Sequence, residues 1–163
     1  MKQSKFHNTS TTISAEDQGQ NLSVETRDLV RQQAKLPLGS PVNLWSLPNQ
    51  DEDKRPTTTM PVLIKLAICG SSSNTLTYRD ICFAIAERFE WYRKSRDPKA
   101  WKASVRHALS FHQAFKRLPG KNDSSLTKGG PWTVDLSLGD GFKRAKKRRS
   151  NPSVQGKGIS RRQ

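Results

Sequence analysis

Asp97-Pro-Lys-Ala-Trp-Lys-Ala-Ser-Val-Arg-His-Ala-Leu-Ser110 divides into two unlike faces when wound at 3.6 residues per turn. An acid followed by proline is a strong helix start, Asp97 as N-cap and Pro98 at the first helical position. Trp101, Val105, Ala108 and Leu109 recur at i, i+4, i+7 and i+8 and point inward. The opposite face carries Lys102, Ala103, Arg106, His107 and Ser110, cationic and hydrogen-bonding except at Ala103. A surface helix of that kind suits the major groove of a nucleic-acid duplex, where each base edge presents donors and acceptors.

Two further helices precede this one. Met60–Gly70 is predicted helical, with Pro61 near its start, Gly70 as its stop, and an inward stripe of Leu63, Ile64, Ala67 and Ile68. The next begins at Thr77, where Thr77-x-x-Asp80 resembles a capping box, and buries Ile81, Ile85 and Phe89. It ends near Arg88–Glu90. Trp91 and Tyr92 follow in a turn, plugging the core with their rings. Downstream, Ala114–Leu118 and Pro131–Val134 are short strand candidates. Pro119–Gly130 between them is a polar loop carrying Lys121 and Lys128. The fold class expected is α+β, a winged helix: a three-helix helix-turn-helix core, a small antiparallel β-hairpin wing, and disordered N- and C-terminal tails.

Charge divides the chain in the same way. Residues 1–53 hold five basic and seven acidic side chains, whereas residues 54–149 hold twenty-one basic and seven acidic, and 150–163 three basic. Three parts are expected: a disordered polar tail over 1–53, a DNA-binding domain over 54–149, and a basic disordered tail over 150–163. The boundary falls where Asp51-Glu-Asp53 gives way to Lys54-Arg55-Pro56. A basic domain favours a polyanion. A membrane surface is disfavoured, because no helix is long or lopsided enough for it. Cys69 and Cys82 are read as two reduced, partly buried thiols, with no metal-ligand spacing. No secretory signal or membrane-spanning run is read in the sequence, so a reducing compartment is expected. Within 36–48, Leu36-Pro-Leu38 and Val42-Asn-Leu-Trp-Ser-Leu47 form an apolar patch. Two readings stand there: a loose, sticky tail, or a linear motif that docks on a protein partner or back on the domain.

The order of elements, and the residues themselves, resemble the forkhead family. That family's third helix reads W-x-N-S-[IV]-R-H-N-L-S, against Trp101-Lys-Ala-Ser-Val-Arg-His-Ala-Leu-Ser110 here. Phe115-Lys-Arg-Leu-Pro119 resembles its F-x-K-[VI]-P strand. Lys128-Gly-Gly-Pro-Trp-Thr-Val-Asp135 resembles K-G-x-x-W-x-[LV]-D, which closes its first wing. Leu76-Thr77 with Ile81, and Arg88-Phe89 with Trp91-Tyr92, fit its second helix. The resemblance spans about 90 residues and implies sequence-specific binding of double-stranded DNA by a monomeric, nuclear transcription factor acting on RNA polymerase II transcription. Departures accompany it. The asparagine that the resemblance assigns to an adenine edge is Ala103 here, and a second asparagine is Ala108. The tyrosines of the family's P-P-Y-S-Y stretch are replaced in Arg55-Pro-Thr-Thr-Thr-Met60. A bidentate asparagine–adenine pair is worth about 1–3 kcal/mol of discrimination, so the sequence read by this chain is expected to be relaxed or altered.

Arg106 and His107 are assigned to base readout: Arg donates two parallel bonds to guanine O6 and N7, and His donates to a base acceptor or meets a thymine methyl. Lys102, Ser104 and Ser110 are assigned to phosphates. Trp101 and Trp132 are assigned to the core and the wing. Lys128 lies in the wing, and Lys143, Arg144, Lys146, Lys147, Arg148 and Arg149 form a cationic run where the family carries its second wing. The run also has the composition of a nuclear localisation signal. Neutralising 5–8 phosphates gives a log–log salt slope of roughly −4.5 to −7. Catalysis is not expected: His7, His107 and His112 lack partners at catalytic spacing, and Gly156-Lys-Gly158 lacks a P-loop's upstream glycine. No cofactor or metal is implied. The rival readings are a non-sequence-specific architectural DNA binder of the same fold, and a winged helix that docks on protein or RNA.

Overall fold

Met60–Cys69 is too apolar to be satisfied by burying one face. Leu63, Ile64, Leu66, Ala67, Ile68 and Cys69 are all buried, and even Lys65 has no exposed surface. A helix apolar on every side must be enclosed, and the rest of the chain is arranged around this one. The computed structural model describes residues 22–119 and 130–143. In chain order it holds α1 (Val24–Gln33), a 3-10 turn (Leu44–Ser46), α2 (Met60–Cys69), α3 (Tyr78–Arg88), α4 (Glu90–Arg93), α5 (Pro98–Phe111), β1 (Phe115–Arg117) and β2 (Trp132–Val134). α1, α3, α5 and β2 all pack on α2.

The three-helix core and the hairpin are those expected. Thr77 caps α3 by accepting from the Asp80 amide at 3.2 Å, but its hydroxyl then donates to the Asp80 carboxylate at 2.6 Å, in place of the return bond of a full capping box. Trp91 and Tyr92 lie not in a turn but in the single helical turn of α4. The buried Tyr92 ring meets Phe89 edge-on and tilts against Trp101, centroids 5.1 Å apart, so α4 locks α3 to α5. β1 and β2 pair antiparallel, with Phe115 opposite Val134 and Arg117 opposite Trp132. Leu76 adds a third rung by exchanging both backbone bonds with Trp132, at 3.0 and 2.7 Å. Cys69 and Cys82 are free and buried, and burial pushes the Cys69 thiol up to about 11.

Residues 22–53 correct the expectation of a disordered tail. α1 is capped by Ser23, whose Oγ accepts from the Thr26 amide at 3.1 Å, and it buries Val30 completely. Leu36, Val42, Leu44 and Leu47 are buried in the same core. The 36–48 patch therefore docks back on its own domain, and its buried side chains are not open to a protein partner; Leu38 and Trp45 remain exposed. Polar anchors complete the attachment. The Arg88 guanidinium donates to the carbonyls of Leu44 and Leu47 and to Asn49, at 3.2, 2.8 and 3.1 Å. Arg27 donates to the Cys69 carbonyl at the end of α2 and to Asn74. The approach is close at Gly70, where a Cβ would stand 2.7 Å from the Asn43 Cβ. The expected tails over 1–21 and 150–163 lie outside the described residues.

Candidate nucleic-acid interface

α5 begins as its sequence requires. One Asp97 carboxylate oxygen accepts from the amides of Lys99 and Ala100, at 3.1 and 3.2 Å, and Pro98 takes the position whose N–H would otherwise be unsatisfied. Trp101, Val105, Ala108 and Leu109 are buried, which fixes the helix's rotation. Lys102, Ala103, Ser104, Arg106, His107 and Ser110 are consequently all exposed. α5 contains no acidic residue. None of Lys99, Lys102, Arg106 and Arg117 has an ion-pair partner among the described residues. Lys116, next to Arg117, is instead paired with Asp135, whose carboxyl is held at about 2 chiefly by that bond.

The exposed face is organised in two stripes. On one side stand Arg106 and Ser110, which line one groove with Tyr78, Arg117 and Trp132, and Lys102, whose ammonium lies over the Trp101 ring at 5.7 Å. Tyr78, at the first position of α3, donates its hydroxyl to the Lys102 carbonyl at 3.0 Å, and its ring lies under the Arg106 guanidinium at 5.0 Å. Partial burial holds that hydroxyl above its ordinary pKa, so it stays a donor. On the other side, His107 stacks on Phe111, centroids 5.1 Å apart and planes 20° apart, and Phe111 in turn tilts against Phe142 at 4.6 Å. The stack covers one face of the imidazole and holds the ring, which stays exposed on the outward side of α5.

Three assigned residues are engaged within the protein itself. Ser104 donates to the Ala100 carbonyl at 3.2 Å, and Ser110 has the Arg106 and His107 carbonyls within 3.0 Å. Each hydroxyl must rotate out of those bonds before it can donate to a phosphate. Lys143 closes the C-terminus of α5: its amide donates to the Phe111 carbonyl at 2.8 Å, its ammonium to the Leu109 carbonyl at 3.4 Å, and it lies over the Trp132 ring. A cation on the last carbonyls of a helix offsets the negative end of the dipole. Trp101 is buried in the core and Trp132 sits in β2, as assigned. Lys128 and Arg144, Lys146, Lys147, Arg148 and Arg149 lie outside the described residues.

Sequence reasoning missed Tyr78, Arg117, Phe111 and Phe142. Tyr78 and Lys102 are 24 positions apart, and only the crossing of α3 and α5 brings them together. Arg117 was legible only as a strand residue, and its place beside Arg106 depends on the register of β1 with β2.

Comparison with known proteins agrees with this architecture. The family model "Forkhead domain" matches residues 54–143. The chain is 34% identical over 126 residues to Forkhead box protein I3-A of Danio rerio, covering 71% of this chain and 35% of that protein. It is 33% identical over 123 residues to Forkhead box protein I1 of Homo sapiens, covering 71% and 32%. It is 37% identical over 81 residues to Forkhead box protein I1-B of Xenopus laevis, covering 50% and 21%. The chain thus spans about a third of the length of the first two relatives. With its helix order, its hairpin and the matched residues in agreement, the chain belongs to the forkhead family and has that family's winged-helix fold.

Proposed function

We propose that this chain is a nuclear, sequence-specific double-stranded DNA-binding protein that regulates RNA polymerase II transcription, with α5 as the recognition helix in the major groove. The observation that carries the reading is the outward face of α5, free of acids, with Lys102 and Arg106 unpaired among the described residues and Arg106 and His107 both held by aromatic rings. Arg106 and His107 read base edges. Lys102, Arg117 and, after rotation, Ser104 and Ser110 contact phosphates and set the register. The working domain is taken as 54–149, with residues 22–53 as a structural attachment. Lys128 and the run Lys143 to Arg149 follow the backbone on either side of a monomer, Lys143 after its ammonium leaves the Leu109 carbonyl; the same run serves as the nuclear address.

The test is selection from a random duplex library by the full chain at near-physiological salt. An enriched motif, lost in R106A/H107A, is expected, with a log–log salt slope of roughly −4.5 to −7 for 5–8 neutralised phosphates. Ala103, which offers no hydrogen bond, favours a second reading, a non-sequence-specific architectural binder. That reading gives strong, salt-sensitive binding to every duplex and no enrichment.

A further inference from the structure

Ala103 interrupts the row of hydrogen-bonding side chains on α5 and replaces it locally with an apolar surface. A hollow of about 440 Å³ opens beside it, lined by Met60 and Pro61 from the start of α2 and by Ala100, Ala103, Ser104 and His107 along α5, among others. Ala100 and Ala103 are exposed. The Ser104 hydroxyl in the same stripe is turned onto the Ala100 carbonyl and adds no outward donor. His107 stands at one margin, with one ring face stacked on Phe111. The hollow is thus apolar where Met60, Pro61, Ala100 and Ala103 line it and polar at its margin, where Ser104, His107 and His112 stand, on the face that the proposed function places against base pairs.

Among the groups that base pairs present in the major groove, the apolar one is the C5-methyl of a pyrimidine, and alanine is a side chain that meets it. Thymine carries that methyl, cytosine lacks it, and 5-methylcytosine regains it. Arg106 stands three positions beyond Ala103, close to one turn along the helix, where its guanidinium is suited to guanine O6 and N7. A methylated pyrimidine followed by guanine satisfies both, and pyrimidine–purine steps are also the most easily deformed. We infer that Ala103 and the hollow beside it form a binding site for the pyrimidine C5-methyl, so that this chain binds T-G and 5-methyl-C-G steps more tightly than unmethylated C-G. This rests on the DNA-reading role proposed above and names what that role reads.

The experiment selects the full chain on one random duplex library in two forms, unmodified and methylated at C5 of every CpG cytosine. The enriched site is then resynthesised with cytosine, 5-methylcytosine, thymine or uracil at each pyrimidine. One position is expected at which the methyl raises affinity about fourfold, the equivalent of about 0.8 kcal/mol for one buried carbon. In A103N, an exposed-surface change that leaves the core untouched, the methyl preference disappears and adenine is selected near that position. An enriched site whose pyrimidines all bind equally with and without the methyl overturns the inference and leaves the DNA-reading role standing. No enrichment from either library overturns both.

Discussion

Tyr78 acts on the outward face of α5 in two separable ways. Its hydroxyl binds the Lys102 carbonyl in the middle of α5, and its ring lies 5.0 Å from the Arg106 guanidinium. A long cationic side chain reaching into a groove loses rotamer freedom on binding, and an aromatic ring that already holds it reduces that loss. An exposed cation–π contact of this type is worth about 0.5–1 kcal/mol. Y78A is therefore expected to weaken binding to the selected duplex about two- to fivefold, whereas Y78F, which keeps the ring, stays within about twofold of the parent. The salt slope should be unchanged in both, because no cation is removed. Titrations of the selected duplex at several salt concentrations check this, and equal affinities for Y78A and parent would show that Arg106 is not held for binding. The outward residues of α5 were legible from sequence because the buried stripe Trp101, Val105, Ala108 and Leu109 dictates which side chains are left outside. The residues that hold them were not, since Tyr78 and Phe142 come from other elements.

At the scale of elements, the informative case is α1. Its sequence, Val-Glu-Thr-Arg-Asp-Leu-Val-Arg-Gln-Gln, offers no 3.6-residue apolar stripe, and Val30 is its one apolar side chain buried in the core. Leu22 and Ala34 at its ends add to the Val30 contact, and polar side chains whose partners are distant in sequence complete the attachment. Gln33 joins the fully buried Lys65 ammonium at 2.7 Å, Lys65 pairs with Asp140 at 2.6 Å, and Gln33 donates back to Asp140 at 3.0 Å. Three segments, α1, α2 and the chain after β2, meet at one buried cation. Apolar periodicity is a local signal, so a helix attached through a long-range polar triad reads as tail, whereas α2, α3 and α5 were legible from their own stripes. The triad supports a contrast between two substitutions. D140A leaves the Lys65 charge buried beside a single neutral acceptor and should cost about 3 kcal/mol, toward the low end for a broken buried pair because Asp140 itself is 35% exposed. K65M removes the buried charge, keeps the volume, and leaves Asp140 able to reach water, so it should fall within about 1 kcal/mol of the parent or above it. Urea unfolding reads this as a lower midpoint for D140A alone, with the slope unchanged in both. Equal losses would show that the pair, not the unpaired cation, sets the energy.

At the scale of the whole molecule, the chain returns to the C-terminal end of α5 before its basic run begins, and the return is made over His112. This residue caps α5, bridges to Phe142, and lies among Phe111, Phe115 and Phe142, with its Nδ1 buried and without a hydrogen-bond partner among the described residues. Burial lowers its pKa from the ordinary 6.5; Asp140 opposes the shift, while Lys65 and His107 reinforce it. Because the unfolded chain then binds a proton more readily than the folded one, stability is full above about pH 6.5 and falls as the pH drops below it. The lowered carboxyls act in a different window. Asp135, moved from 3.8 to about 2 chiefly by Lys116, holds its contribution above pH 3.8 and loses it only as the pH falls toward 2. A decline in melting temperature on going from roughly pH 8 to roughly pH 5 thus belongs to His112 and not to the acids. H112F, which keeps an aromatic ring in the cluster and discards the unpartnered nitrogen, should flatten that decline and raise stability at the acid end. The same variant leaves every outward residue of α5 in place but removes an imidazole that lines the hollow beside Ala103, so its affinity for the selected duplex at neutral pH is measured alongside its stability. A decline that persists unchanged in H112F would remove His112 as its source, and a loss of DNA affinity without a loss of stability would place the residue in the interface instead of beneath it.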